Sequence, residues 1–225
     1  MQAYVSSAEG KGPFPGVIVL QEAFGVNSHI RSIADRLSKE GYVVIAPELF
    51  HRTAEPGFEI GYTVDFSVIV PHFQAMNPES MSADMKAAFD WLQQQQEVQT
   101  SRIGCIGFCL GGRAAFLANA VLPISAAISF YGGRTDALAD KASDLHAPHL
   151  FFWGGLDKHI TQDQIDTVIN AVKKAGKVYT NVVISNADHG FNCDDRASYN
   201  KQAAGEAWAL SLAFLRNNLQ LRAAG

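Results

Sequence analysis

The stretch Ile103-Gly104-Cys105-Ile106-Gly107-Phe108-Cys109-Leu110-Gly111-Gly112 decides how this chain folds. Its first part belongs to an apolar run at 102–108 (RIGCIGF) that reads as a buried strand, and its last part opens a helical pattern over 110–121. Cys109 stands at the joint. A residue there occupies a sharp turn in which strand and helix backbones crowd each other. Glycines two positions before it and two after it remove the side chains that would collide. The thiol is thereby lifted above the end of the strand, at the positive end of a helix dipole, where a nucleophile is needed. Phosphate-binding turns are also glycine-rich, but GFCLGG has neither the GxGxxG nor the Walker spacing. Cys105, four residues earlier, falls inside the strand and reads as core.

Working outward, apolar runs alternate with helical spacing on both sides. Strands are expected at 16–20 (GVIVL), 42–46 (YVVIA), 126–131 (AAISFY), 149–153 (HLFFW) and 178–184. Between them lie a helix started by Asn27 or Ser28 and closed by Gly41, a helix behind Ser82, and a helix capped by Thr161 and ended by Gly176. Trp208, Leu212, Leu215 and Leu219 mark a last amphipathic helix. Such alternation predicts a mostly parallel sheet with helices on both faces, here an α/β-hydrolase fold spanning 1–225 as one domain. From 48 to 80 the periodicity is lost at Pro56-Gly57, Pro71 and Asn77-Pro78, which reads as a lid, a pocket wall or a surface excursion.

In this fold the chain order is nucleophile, acid, histidine. Asp157 follows the strand ending in Trp153, and His189 follows the strand ending in Ile184, so both emerge at the edge where Cys109 stands. Asp157 is expected to orient His189, and His189 to move the proton of Cys109 and of the leaving group. Asp188 and His159 are the rival partners. Glu22 ends the first apolar run at the same edge, where a carboxylate is costly without a task or a counter-charge such as Arg52 or Arg113. The backbone N–H groups of Ala23 and Leu110 are the expected oxyanion hole. His29, His51, His72 and His146 show no ligand spacing, so no metal is expected.

Composition bounds the partners. The 225 residues are 48% hydrophobic and 18% charged with a formal net charge of −4, which leaves no basic field for nucleic acid or an anionic membrane. No apolar run approaches the roughly 20 residues of a membrane span, and residues 1–16 lack a secretory pattern. Three cysteines without CxxC spacing suit free thiols in a reducing compartment, hence a cytoplasmic protein, monomeric or a small homo-oligomer.

On the stretches VIVLQEAFGVN (17–27), GYVVIAPELF (41–50), IGCIGFCLGG (103–112), FFWGGLDKHI (151–160) and ADHGFN (187–192), the chain resembles the dienelactone hydrolase family, the carboxymethylenebutenolidases. The resemblance implies Cys109 as nucleophile, His189 as base, Asp157 as its orienter, and a Glu22 that contacts the resting thiol and shifts when substrate binds. It implies hydrolysis of an enol-lactone or ester through a thioester, with no cofactor. The best-studied branch holds a substrate carboxylate with arginines before the elbow and shortly after the histidine. Here 58–81 contains no Arg and position 193 is Cys. Arg134 is the first candidate replacement, with Arg52 and Arg196 behind it, and Phe24 as a further substrate contact. The alternatives are a promiscuous hydrolase of other activated esters such as phosphotriesters, a ligand-binding scaffold without turnover, and a redox thiol.

Overall fold

The computed structural model describes residues 1–220. Seven strands form one sheet: β1 (Ala3–Ser6), β2 (Phe14–Leu20), β3 (Val43–Pro47), β4 (Val98–Phe108), β5 (Ala126–Phe130), β6 (His149–Gly154) and β7 (Tyr179–Ile184). Their spatial order is β1-β3-β2-β4-β5-β6-β7, with every pairing parallel except that of β1 with β3. The expected fold class holds. Strands β3, β5 and β6 are buried at every position, as continuous apolar strands covered on both faces must be. The edge strand β7 mixes half-buried and exposed residues, and β1 at the other edge alternates between them.

Helices α1 (Ser28–Lys39) and α6 (Lys201–Leu215) pack on one face of the sheet, and α3 (Pro78–Gln94) and α4 (Leu110–Val121) on the other. On the second face, α5 (Gln162–Lys174) packs outside a 3-10 segment at Thr135–Asp144. Of the two expected caps of α1, Asn27 serves, accepting from the Ile30 N–H; Thr161 caps α5 as expected, and the structure adds a capping box with Gln164. The buried face of α6 is Ala203, Ala207, Ser211 and Leu215; Trp208 and Leu212 are only half-buried.

Three readings need correction. β1 was not expected: its four residues carry too short an alternation to stand out, and pairing with β3 is what makes them a strand. Asn77-Pro78 is not a break. Asn77 accepts from Ser80 N and Pro78 is the first helical residue, so α3 begins well before Ser82. Finally, residues 66–68 form a 3-10 turn and 70–75 a short helix α2 (Val70–Ala75) inside the stretch that looked aperiodic.

Beneath α4 lies a buried polar cluster that ties helix to sheet. The Ser129 hydroxyl donates to Gly112 O at 2.6 Å, so the 2.8 Å bond between Ser129 Oγ and His149 Nε2 takes its proton from the imidazole. Asn119 Nδ2 donates to His149 Nδ1 at 3.2 Å and to Ala147 O at 2.9 Å. His149 is therefore neutral, and burial pushes its pKa down to about 3. An unfolded chain binds this proton below the ordinary value of 6.5 while the native one resists until about 3. The stability His149 confers is thus complete above 6.5 and falls with pH across that window, by about 3 kcal/mol between pH 6.5 and 4. Urea unfolding at the two pH values should show this slope, and His149→Gln should flatten it.

Candidate active site

The sheet delivers its chemistry to one edge. Leu20 pairs with Gly107, Phe108 with Phe130, Phe130 with Phe152, and Gly154 with Ile184, so the carboxyl ends of these strands lie side by side. Between β2 and β4 the chain changes direction across the sheet: β2 leads outward to β3, whereas β4 leads to β5 on the other side. Ligand crevices of open α/β sheets form at such a point. Glu22 follows β2 there and Cys109 follows β4.

Cys109 adopts φ 53° and ψ −111°, a conformation that side chains rarely take. It is held by the Phe130 carbonyl, which accepts from its N–H at 3.0 Å, and by Gly112 and Arg113, whose N–H groups donate to its carbonyl at 3.0 and 3.3 Å. The glycines leave room for this bend. A Cβ on Gly107 would lie 1.9 Å from the Gly111 carbonyl oxygen, and one on Gly111 would lie 2.1 Å from that of Leu20. Backbone strain of this kind is sustained only where the surroundings dictate it.

His189 Nδ1 bonds to Asp157 Oδ2 at 2.7 Å, leaving Nε2 for the cleft. Asp157 Oδ1 accepts from the backbone N–H groups of His159 and Ile160 at 2.8 and 3.2 Å, which fixes the carboxylate. The rivals are otherwise engaged. Asp188 accepts from the backbone N–H of His189 at 2.6 Å, and His159 packs its ring edge against His189 with 5.4 Å between centroids. Burial alone would lower the pKa of His189. The charge of Cys109, hydrogen bonds to Asp157 and Cys109, and the charge of Asp157 overcome it and raise the value to about 10. An imidazolium that persists so high keeps its proton across the neutral range. The alkaline limb of kcat/KM should accordingly lie near pH 10. In Cys109→Ala the titration of His189, followed by NMR, should move downward because its leading partner is gone.

Glu22 is fully buried. Its carboxylate accepts from Tyr62 at 2.8 Å on one oxygen and from Arg196 at 3.3 Å on the other. No hydrogen bond among the described residues joins it to Cys109. A carboxylate at this depth needs a counter-charge, and Arg196 from the loop after His189 supplies it.

Arg52 is corrected. It makes a bidentate pair with the buried Asp84 at 2.5 and 2.8 Å, and it does not line the cleft beside Cys109. Phe24, Arg134 and Arg196 do line it, together with Ala23, Leu110, Phe66, Phe73, His159 and His189, around about 390 Å³. Phe66 and Phe73 make the 48–80 stretch one wall of this cleft.

Arg113 was considered in the sequence only as a partner for Glu22, and here it joins Arg134 instead. The two border a neighbouring cavity of about 410 Å³ that shares Phe73 with the first. Neither makes an ion pair among the described residues; Arg113 rests against the Phe73 ring and Met81. Burial, followed by the like charge of Arg134, lowers the pKa of Arg113. Its place one helical turn beyond Cys109 was the available signal. Tyr131 also escaped notice: buried at φ 37°, it sets its ring 5.1 Å from that of His189.

The sequence profile described as "Dienelactone hydrolase family" matches residues 1–219. The chain belongs to the dienelactone hydrolase family. A relative in Synechocystis sp., named "Putative carboxymethylenebutenolidase", is 35% identical over 91% of this chain and 87% of its own length. One of the same name in Escherichia coli K12 is 35% identical over 92% of this chain and 79% of its own. Among solved structures, a "Putative Dienelactone Hydrolase" from Klebsiella pneumoniae superposes with a TM-score of 0.85 at 34% identity, covering 95% of this chain and 91% of that one. A dienelactone hydrolase-like promiscuous phosphotriesterase from metagenomic libraries, 24% identical with a TM-score of 0.84, shares the fold. This dienelactone hydrolase family member is therefore a hydrolase of the carboxymethylenebutenolidase type. Among the described residues, no helix is long and apolar enough to cross a membrane.

Proposed function

We propose that the protein hydrolyses a carboxylic ester or enol-lactone through a thioester on Cys109. The observation that carries this reading is the 2.7 Å bond between His189 and Asp157 beside a cysteine held on the strained elbow. The Cys109 thiolate attacks the acyl carbon. The tetrahedral oxyanion is received by the N–H groups of Leu110 and Ala23. The first is an unpaired donor of the opening turn of α4, and the second meets no protein acceptor among the described residues. The C–O bond then breaks, and the leaving oxygen takes the proton of the His189 imidazolium. For an enol-lactone this leaving group is a stabilised enolate, which suits a thiolate nucleophile. Water enters, gives its proton to His189, attacks the thioester and releases the acid together with the thiolate.

The relatives' names point to lactones, including a "Probable 2-oxo-3-(5-oxofuran-2-ylidene)propanoate lactonase" of Bradyrhizobium sp. at 28% identity. Arg134, backed by Arg113, suits a substrate that carries a free carboxylate. Arg134→Ala is expected to raise KM about 10-fold or more for a carboxylate-bearing lactone while leaving that of its methyl ester unchanged. An equal change for both would remove Arg134 from the site. Intact-mass measurement with a slow ester tests the chemistry itself: an acyl adduct located on Cys109 supports the thioester, and turnover without one on any residue overturns it. Paraoxon turnover exceeding that of every lactone would favour the phosphotriester reading, for which the largely apolar lining of the cleft is the supporting feature.

A further inference from the structure

Behind the cleft, the loop that carries His189 continues to Cys193 and Asp194 and brings them against His29 in the first turn of α1. A ring nitrogen, the thiol sulfur and a carboxylate oxygen from these three residues all lie within 4.8 Å of one another. None of the three takes part in the hydrolytic chemistry. Cys193 is fully buried, His29 is 4% exposed, and Asp194 lies at the surface. His29 Nε2 is buried with no hydrogen-bond partner. A buried polar atom left in that state is uncommon and calls for a cause. His29, Asn192 and Asp194 also line a cavity of about 260 Å³ bordered by the exposed Lys201, which gives a path from solvent.

We propose that His29, Cys193 and Asp194 form a binding site for a soft divalent cation of the zinc class. Imidazole, thiolate and carboxylate are the donors such ions take, and three protein ligands leave a fourth position for water. Ligand atoms around a tetrahedral ion sit roughly 3.3–3.8 Å apart, so the triad closes by about 1 Å on binding. The surface side chain of Asp194 has the freedom to supply that movement. Cys193 releases its proton to solvent as the metal–sulfur bond forms. Neutral imidazole, thiolate and carboxylate bring two negative charges, and Asp195 adds a third nearby. Of the positive neighbours, Arg36 is stacked on Trp208 at 3.8 Å and Lys201 is exposed to solvent. Cys193 also lies beside Tyr62, the residue that holds Glu22, so a cation on its sulfur sits next to that contact.

The test uses the Cys109→Ala protein, so that the cleft offers the probe no thiolate. Titration with Cd²⁺ alone is expected to produce the near-ultraviolet thiolate-to-cadmium absorption, saturating at one equivalent. Cys193→Ser should abolish the band, and His29→Gln should weaken binding by at least about 10-fold. Absence of the band in the Cys109→Ala protein, its survival in Cys193→Ser, or unchanged affinity in His29→Gln would each overturn the site. Far-ultraviolet circular dichroism checks each variant. Should Cys193→Ser fail to fold, Zn²⁺ provides the second reading: it should raise the melting temperature of the Cys109→Ala protein and leave that of His29→Gln in the same background unmoved. A rise of equal size in both would again reject the proposal.

Discussion

Cys109→Ala is expected to lower kcat/KM toward a lactone by roughly 10,000-fold or more while leaving the fold intact. The size of the loss follows from what the elbow does. Under the proposed thioester mechanism its backbone N–H groups and the cleft walls remain, so weak binding and some oxyanion stabilisation survive, but no atom is left to form the acyl-enzyme. Alanine also suits the site sterically, since the constraint at this turn falls on Gly107 and Gly111 rather than on residue 109. Thermal melting should therefore change little, and progress curves with a chromogenic ester give the rate. Activity retained within 10-fold of the parent would sink the assignment of Cys109. Cys109→Ser is the informative companion, because a hydroxyl in place of the thiol asks His189 to do more of the proton removal.

Gly111→Ala should be among the most damaging small changes in the molecule. The added methyl would stand 2.1 Å from the Leu20 carbonyl oxygen and 2.7 Å from that of Gln21, both backbone atoms at the end of a central strand. Relief requires α4 to move away from β2, which opens the sheet edge where Glu22 and Ala23 lie. A destabilisation above about 4 kcal/mol is expected from equilibrium urea unfolding, beyond the usual range for a surface or helix-propensity effect. Gly205→Ala is the matching control. That glycine lies within α6 with nothing near its missing side chain, so alanine should be neutral or slightly stabilising. Comparable losses at the two positions would mean that crowding at the elbow is not what requires glycine.

The two variants mark what could be read before the structure. The elbow was legible because its physical demand, two missing side chains around one bent cysteine, is written in neighbouring positions. Asp157 and His189 were legible because each follows an apolar strand, and parallel strands bring their carboxyl ends to one edge. Asn77-Pro78 was misread because the same dipeptide breaks one helix or begins the next, and only the capping bonds distinguish the two. The partners of Glu22 and the isolation of Arg113 were hidden for another reason. They depend on how residues 48–80 lie over the sheet, a long-range matter that local periodicity does not encode. Arg52 shows the cost: plausible by charge and position, it is spent on Asp84.

The carboxylate of Glu22 fastens together three separate stretches of chain: the turn after β2, the wall that contains Tyr62, and the loop that carries both His189 and Arg196. That carboxylate is a pin common to all three, set beside the backbone bridge of Gly25 with Glu59 and the bond from Asn27 to Tyr62. Pulling that pin frees the rim on both sides at once, so amide exchange around Tyr62 and around Arg196 should accelerate in concert in Glu22→Gln, with the strands beneath keeping their protection.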